Sequence, residues 1–257
     1  YLAHVNLGYI DHREGKLDAA EAHYRQALED APRMADAHTN LAGIELARGR
    51  SEEARASLDA ALAADPGFVN AWLLYGVLEE QEGHPEEALA RRARAFQVDP
   101  NSVSAGVEYA RSLLATGRTN EALAVLGPLA SDHPNHIDAQ VTLARAESAA
   151  GRDGAARDRL ERLLGRADPA VATELAWVLA TSPDASVRDP ARALRLARGI
   201  DEPDWRALRS LAAALAGTGA REEARSVLLD AAAAAPTSAT ATLMELRGRI
   251  DRGEALR

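Results

Sequence analysis

The chain of 257 residues contains no cysteine, and this absence excludes several kinds of site. Disulfides, thiolate zinc sites, iron–sulfur clusters, covalently attached haem and cysteine nucleophiles all require the sulfur atom. Aromatic residues are also scarce, since they make up 4% of the chain and include only two phenylalanines and three tryptophans. This inventory cannot fill the core of an all-β sandwich, whereas the many alanines and leucines favour helices.

Positive charge and long apolar runs are limited too. The 30 basic residues are outnumbered by 39 acidic ones, which leaves a net charge of −9. This balance argues against a nucleic-acid partner, because phosphates are neutralised mainly by basic side chains. No apolar run approaches the roughly 18 residues that a membrane span needs. The first residue is Tyr1 and no signal-peptide pattern follows it, so we expect a piece of a longer protein, with its localisation unknown.

The informative feature of the chain is a repeat of 34 residues. Glycine recurs at Gly15, Gly49, Gly83, Gly117 and Gly151, alanine at Ala20, Ala54, Ala88, Ala122 and Ala156, and proline at Pro32, Pro66, Pro100 and Pro134. The glycine predicts a left-handed residue that ends a first helix, and the proline predicts the end of a second helix. The alanine lets two helices approach closely, and larger residues at Leu7, Leu41, Tyr75, Tyr109 and Leu143 are expected to fill the space between them.

This spacing resembles the tetratricopeptide repeat of bacterial multi-repeat proteins, a 34-residue helix–turn–helix unit. Residues 1–34 match its pattern at Leu7, Gly8, Gly15, Ala20, Tyr24, Ala27 and Pro32. The resemblance implies an all-α, right-handed superhelical solenoid of antiparallel helix pairs, with about seven units and a C-terminal closing helix. Five regular units are expected over residues 1–168 and an irregular sixth, with an extended inter-helix loop, over 169–204. A seventh should span 205–238, and a capping helix and tail 239–257.

We find no catalytic or cofactor motif, neither a phosphate-binding glycine loop nor a Gly-x-Ser-x-Gly or His-Glu-x-x-His pattern. No enzymatic activity, cofactor or metal is therefore expected. The histidines His133 and His136 flank Pro134 and are interpreted as exposed loop residues, while His4 and His38 share one repeat position and are interpreted as packing or capping residues.

An acidic column also follows the repeat. Its members are Asp11, Glu45, Glu79 and Glu147. Neighbouring helices lie about 10 Å apart, which is too far for adjacent carboxylates to share a metal or a proton. We therefore expect each carboxylate to pair with a nearby arginine or to face water.

The resemblance further implies a concave face, formed by the first helix of each unit, that binds extended peptides or partner helices. The predicted groove residues are Asn6, Tyr9, Arg13, Asn40, Asn70, Leu73, Val77, Glu108, Arg111 and Arg145, with Trp177 and Arg209 further along the row. Asn6 and Asn40 could hydrogen bond a peptide backbone or simply remain hydrated, and Trp177 is expected to pack in the core. Val5 and Tyr9 replace the lysine and asparagine of the family's clamp for C-terminal carboxylates, which excludes a chaperone-tail receptor of that kind.

The sequence thus predicts a non-catalytic scaffold that binds a peptide or protein segment, with no nucleic acid and no membrane span in this fragment. One alternative is a substrate-recruiting or regulatory arm of a larger enzyme, such as a glycosyltransferase or sulfatase. Another is a solenoid that self-associates through its end units into dimers or fibres.

Overall fold

The computed structural model describes residues 1–254 and 256, and these residues form fifteen α-helices, one short 3-10 turn and no strand. The predicted all-α fold is thereby confirmed. Two compact units divide the chain, unit 1 over Tyr1–Arg118 and unit 2 over Thr119–Arg257. The repeat boundaries at 168, 204 and 238 stay a prediction, and positions 255 and 257 of the predicted tail lie outside the described residues.

Unit 1 contains seven helices. Their bounds are α1 Leu2–Arg13, α2 Leu17–Asp30, α3 Ala35–Ala47, α4 Ser51–Ala64, α5 Val69–Gln81, α6 Pro85–Val98 and α7 Val103–Ala115. Unit 2 contains the other eight. These are α8 Thr119–Asp132, α9 Ile137–Ala149, α10 Asp153–Leu163, α11 Pro169–Thr181, α12 Pro190–Arg198, α13 Trp205–Gly217, α14 Arg221–Ala234 and α15 Thr237–Arg252, with the 3-10 turn at Leu164–Arg166. We call α1, α3, α5, α7, α9, α11 and α13 the first helices and the even-numbered ones the second helices.

The recurrent glycines adopt the predicted left-handed conformation. Gly15, Gly49, Gly83, Gly117 and Gly151 have φ values between 69° and 82°. At the turn after α5, the backbone N–H of His84 donates to Glu79 O at 2.8 Å, so the chain reverses directly into α6. The turns at Gly15, Gly49, Gly83 and Gly151 each place a second helix against the first helix that precedes it.

Small residues and close contacts form the core of unit 1. Ala20 and Ala54 are fully buried and Ala88 nearly so. A Cβ atom on Gly8 would lie only 2.8 Å from the ring of Tyr24, so glycine is required there for α1 and α2 to approach. Leu7 differs from the prediction that it fills the core, because it is 46% exposed while Leu41 is 7% exposed. Leu41 packs in a cluster with residues of α2, whereas no helix precedes α1 in the described chain.

Unit 2 keeps the contact between a first helix and the second helix that follows it through an irregular repeat, where α11 packs on α12. A loop over 182–189 separates α11 from α12, and it is anchored where Ser182 Oγ donates to Asp153 Oδ2 at 2.7 Å and Asp189 N donates to Leu179 O at 2.9 Å. Pro190 begins α12, a position that suits proline because its fixed φ matches the first helical turn. The alanine of this repeat, displaced in sequence to Ala193, is fully buried.

We predict that Gly83→Ala lowers the free energy of unfolding by about 1–2 kcal/mol, the cost of a left-handed residue with a Cβ atom. No atom lies within 4 Å of the added Cβ, so the effect isolates backbone conformation. Gly154→Ala is the matched control, since its Cβ also meets nothing within 4 Å and it lies in α10, where alanine stabilises by about 0.5–1 kcal/mol. Urea denaturation of both variants measures the difference, and equal midpoints would show that the turns do not need glycine.

Candidate functional site

The first helices of unit 1 form a layer with one side open to solvent. Helices α1 and α3, α3 and α5, and α5 and α7 are in contact. All the groove residues predicted in unit 1 lie on these four helices and are exposed or half-buried: Asn6, Tyr9 and Arg13 on α1, Asn40 on α3, Asn70, Leu73 and Val77 on α5, and Glu108 and Arg111 on α7. We call this open side the unit 1 face.

The polar groups of the unit 1 face divide into paired and unpaired sets. Arg111 donates to Glu108 one turn away on the same helix. The side-chain amides of Asn6, Asn40 and Asn70, in contrast, make no hydrogen bond with any residue that the structure describes. Asn6 and Asn40 occupy the same repeat position on neighbouring helices, so two free amides lie along one row.

One residue at this face was missed by the sequence analysis. Arg92 belongs to the second helix α6, yet its guanidinium reaches the first helices, where it donates to Ser112 Oγ at 2.7 Å and to Glu80 at 2.6 Å. It occupies the repeat position of Tyr24, and Gly76 faces it as Gly8 faces Tyr24. That pairing of a small residue with a long one sixteen positions later was the available signal.

The first helices of unit 2 present a different arrangement on α9, α11 and α13. Arg145, predicted for the groove, donates from Nε at 3.0 Å and from Nη2 at 2.7 Å to the same oxygen of Glu174, a residue that is 1% exposed. On the next helix, the guanidinium of Arg209 lies 3.9 Å from the centre of the Trp177 ring. Trp177 is half-buried and packs against the core as well as under Arg209.

In unit 2, the charges of Glu174, Arg145 and Arg209 shift one another's pKa values. Burial favours the neutral form of Glu174, but the charges of Arg145 and Arg209 outweigh it and hold the pKa of that carboxyl below its usual range. Glu174 in turn raises the pKa of Arg145. Arg209 is the exception, because burial lowers the pKa of its guanidinium to about 10 despite the attraction of Glu174. Glu174 was also missed from the sequence, where it stands as one acid within the apolar stretch 169–181.

The acids of the column have partners, which are arginines for Glu79 and Glu147, as the sequence predicted, and His23 and Ser57 for Asp11 and Glu45. Each acid meets the residue twelve positions later: Asp11 lies 3.5 Å from His23, Glu45 accepts from Ser57 at 2.8 Å, Glu79 lies 3.7 Å from Arg91, and Glu147 accepts from Arg159 at 2.7 Å. In the fourth repeat, Leu113 replaces the acid and Val125 replaces its partner. The column is therefore a structural pair repeated along the chain.

A cluster of Glu79, Glu82 and His84 has ligand atoms close enough together to hold a metal ion. Arg55 already supplies positive charge there, with donors 3.0 Å from Glu79 and 2.5 Å from Glu82. The arginine neutralises the carboxylates that a cation would need. The cluster therefore fits an ion-pair network.

The other predicted histidines make local contacts within a repeat or with the end of the preceding one. His38 Nε2 lies 2.9 Å from Pro32 O, and at the same repeat position Trp72 Nε1 donates to Pro66 O at 2.9 Å. His4 stacks obliquely beside His23, with ring centres 5.3 Å apart. His136 is exposed and its Nδ1 accepts from Ala139 N at the start of α9. These contacts agree with the packing and capping interpretation.

The fold and these internal contacts define the class as an all-α helical-repeat protein. A sequence model described as tetratricopeptide repeat matches residues 12–78, 79–135 and 113–177, which together exceed half of the chain. The chain therefore belongs to the tetratricopeptide repeat family, and this membership suggests a protein–protein interaction scaffold. No curated protein matches the sequence.

Solved structures show the same fold. The pilF protein of Pseudomonas aeruginosa is 23% identical, with a TM-score of 0.57 over 82% of this chain and 96% of its own. A tetratricopeptide repeat protein from Parabacteroides merdae is 18% identical, with a TM-score of 0.56 over 96% of this chain and 83% of its own. Yeast Tom70 is 16% identical, with a TM-score of 0.58 over 91% of this chain, which spans 50% of the Tom70 chain. At these identities the likeness concerns the fold alone. Among the described residues, no helix has the length and apolarity to cross a membrane.

We expect Glu45 and Glu79 to change the free energy of unfolding with pH in opposite directions, although both are 3% exposed and share one repeat position. Burial raises the pKa of Glu45 above 4.5, so its ionised form weakens the fold as pH rises through the folded pKa. Burial also tends to raise the pKa of Glu79, but Arg55 and the other cationic neighbours of Glu79 bring that pKa below 4.5. The ionised form of Glu79 therefore stabilises the fold, and this stabilisation is lost as pH falls through the folded pKa.

We therefore expect Glu45→Gln to raise the free energy of unfolding at pH 7 and Glu79→Gln to lower it, each by about 1–3 kcal/mol. Glutamine keeps the shape and an acceptor oxygen, so the two variants control for each other. Urea denaturation between pH 4 and pH 8 is the measurement, and both differences should shrink towards the acid end. The same sign for both variants would contradict the assignment.

Proposed function

We propose that the unit 1 face binds an extended segment of a protein partner through the side-chain amides of Asn6 and Asn40. The observation that carries the proposal is that these two amides, in one row on α1 and α3, lack any partner among the residues described. Two arginines nearby are already paired within the protein, Arg111 with Glu108 and Arg92 with Glu80, whereas Arg13 lies over the Tyr9 ring with no ion pair among the described residues. The amides and Arg13 are thus the polar groups left for a ligand.

The chemistry of the amide determines what it would recognise. An asparagine side chain donates through its NH₂ group and accepts through its oxygen, so it can bind both the C=O and the N–H of an extended backbone. Such contacts do not depend on the ligand's side chains. Tyr9, which is 53% exposed, and the half-buried Leu73 and Val77 supply apolar surface beside the row. The partner segment is therefore extended and of mixed character, and the role of this protein is non-catalytic.

Membership in the tetratricopeptide repeat family supports this proposal, because the fold is generally used for protein interactions. The hydrogen bonds from Ser57 to Glu45 and from Arg159 to Glu147 support it as well, since they give these two buried acids a structural role.

The proposal predicts that Asn6→Ala combined with Asn40→Ala weakens peptide binding. Peptides selected from a displayed library of random dodecamers on the full chain serve as probes, and their Kd values are measured by fluorescence anisotropy. Loss of two neutral hydrogen bonds of about 1 kcal/mol each corresponds to a roughly tenfold to thirtyfold weaker Kd.

Asn120→Ala is the matched control, because it removes an exposed amide from the second helix α8. It should leave the Kd within twofold of the unchanged protein. Selected peptides that bind equally well to the Asn6/Asn40 double variant would place the site elsewhere, and a library from which no peptide is enriched would overturn the proposal.

A further inference from the structure

Arg209 is held in an unusual way for a charged side chain. Its guanidinium lies on the Trp177 ring at 3.9 Å, and its Nε atom is buried with no hydrogen-bond partner. No hydrogen bond or ion pair joins Arg209 to any residue in the described part of the chain. A planar group stacked on an aromatic ring leaves its N–H edge free to bind an acceptor.

The acids around Arg209 have other partners. Glu174 receives both hydrogen bonds from Arg145 on one oxygen, so its single charge serves two arginines. Asp204 pairs with Arg206 at 3.6 Å, and Asp138 has contacts of its own. Arg145 and Arg206 both repel the charge of Arg209. The local arrangement therefore lacks one carboxylate.

This missing carboxylate has an energetic consequence. A cation withdrawn from water is unfavourable unless it is paired and hydrogen bonded, and the ring of Trp177 compensates only part of that cost. The lowered pKa of Arg209, about 10, reflects the same shortage. An acceptor that pairs with the free edge would relieve part of the cost, because Trp177 already orients the guanidinium.

We propose that the Arg209 cluster, formed by Arg145, Glu174, Trp177 and Arg209, receives the side-chain carboxylate of an aspartate or glutamate in an extended partner segment. The first helices α9 and α13 flank the central α11, so a bound chain can continue past the cluster on both sides. That continuity favours an acid within the segment over a terminal carboxylate. The inference rests on the proposed function, which it extends to the first helices α9, α11 and α13 of unit 2.

The test uses the full chain and the same random dodecamer library. Peptides enriched on the unchanged protein should carry Asp or Glu at one fixed position. Replacing that acid by its amide, in an acetylated and amidated synthetic peptide, should weaken the Kd at least tenfold. The Arg209→Gln variant should also bind the acidic peptide at least tenfold more weakly than the unchanged protein does. Its Kd values for the acidic peptide and for the amide peptide should lie within twofold of each other.

Arg206→Gln is the matched control. Arg206 is on the same helix, also lies over a tryptophan ring, 4.5 Å from the centre of Trp205, and already pairs with Asp204. Its removal should change the Kd less than twofold. Arg209→Lys keeps the charge but loses the planar fork, so it should bind the acidic peptide more weakly than the unchanged protein. It serves in place of Arg209→Gln if circular dichroism shows that the glutamine variant is unfolded.

The outcomes separate this inference from the proposed function. Peptides that depend on Asn6 and Asn40 but show no preference for an acid overturn the inference and leave the unit 1 proposal standing. An acid preference that persists in the Arg209 variants overturns the inference as well. An acid preference lost with Arg209, in peptides insensitive to Asn6 and Asn40, supports the cluster and overturns the assignment to unit 1. If no peptide is enriched, both proposals fall.

Discussion

The structure depends on close contact between helices at buried alanines. In unit 1 these are Ala20, Ala54 and Ala88, which are at most 2% exposed. A larger side chain there would separate the helices, and overpacking of this kind costs about 1–3 kcal/mol. The irregular sixth repeat shows that the contact matters more than the spacing, because the loop before α12 lengthens while Ala193 remains fully buried. Glycine turns and proline stops are the means by which the chain returns to this contact.

A core of small residues leaves room for long polar side chains to pass between helices. Arginine suits these positions because its fork binds two acceptors at once. Arg159 bridges Glu147 and Gln140, and Arg55 bridges Glu79 and Glu82. Arg159 and Glu147 belong to one repeat, whereas Arg55 on α4 reaches acids on α5 and after it, in the next repeat. Buried charge is thus paired both within a repeat and between neighbouring repeats.

Much of the fold could be predicted because the repeat fixes the backbone: the glycines, prolines and alanines dictate where helices turn, end and touch. The groove residues likewise fall on the first helices. What could not be predicted is which side chains meet. Glu45 and Glu79 occupy one repeat position, yet burial raises the pKa of the Glu45 carboxyl, whereas Arg55 from a neighbouring repeat lowers that of Glu79 despite burial. Arg92 and Glu174 were missed because burial of a charge depends on partners from other helices, which a repeat pattern read one position at a time does not reveal.

The open faces of the two units offer different kinds of recognition. Free amides on the unit 1 face can bind any extended backbone, so their contribution is tolerant of sequence. The Arg209 cluster is selective, because an uncharged ligand residue would leave the guanidinium shielded from water and still unpaired. Arg209 discriminates only because Arg145 already occupies Glu174, since a second acid within reach would satisfy both arginines internally. The selectivity of unit 2 therefore follows from the ratio of two arginines to one buried glutamate.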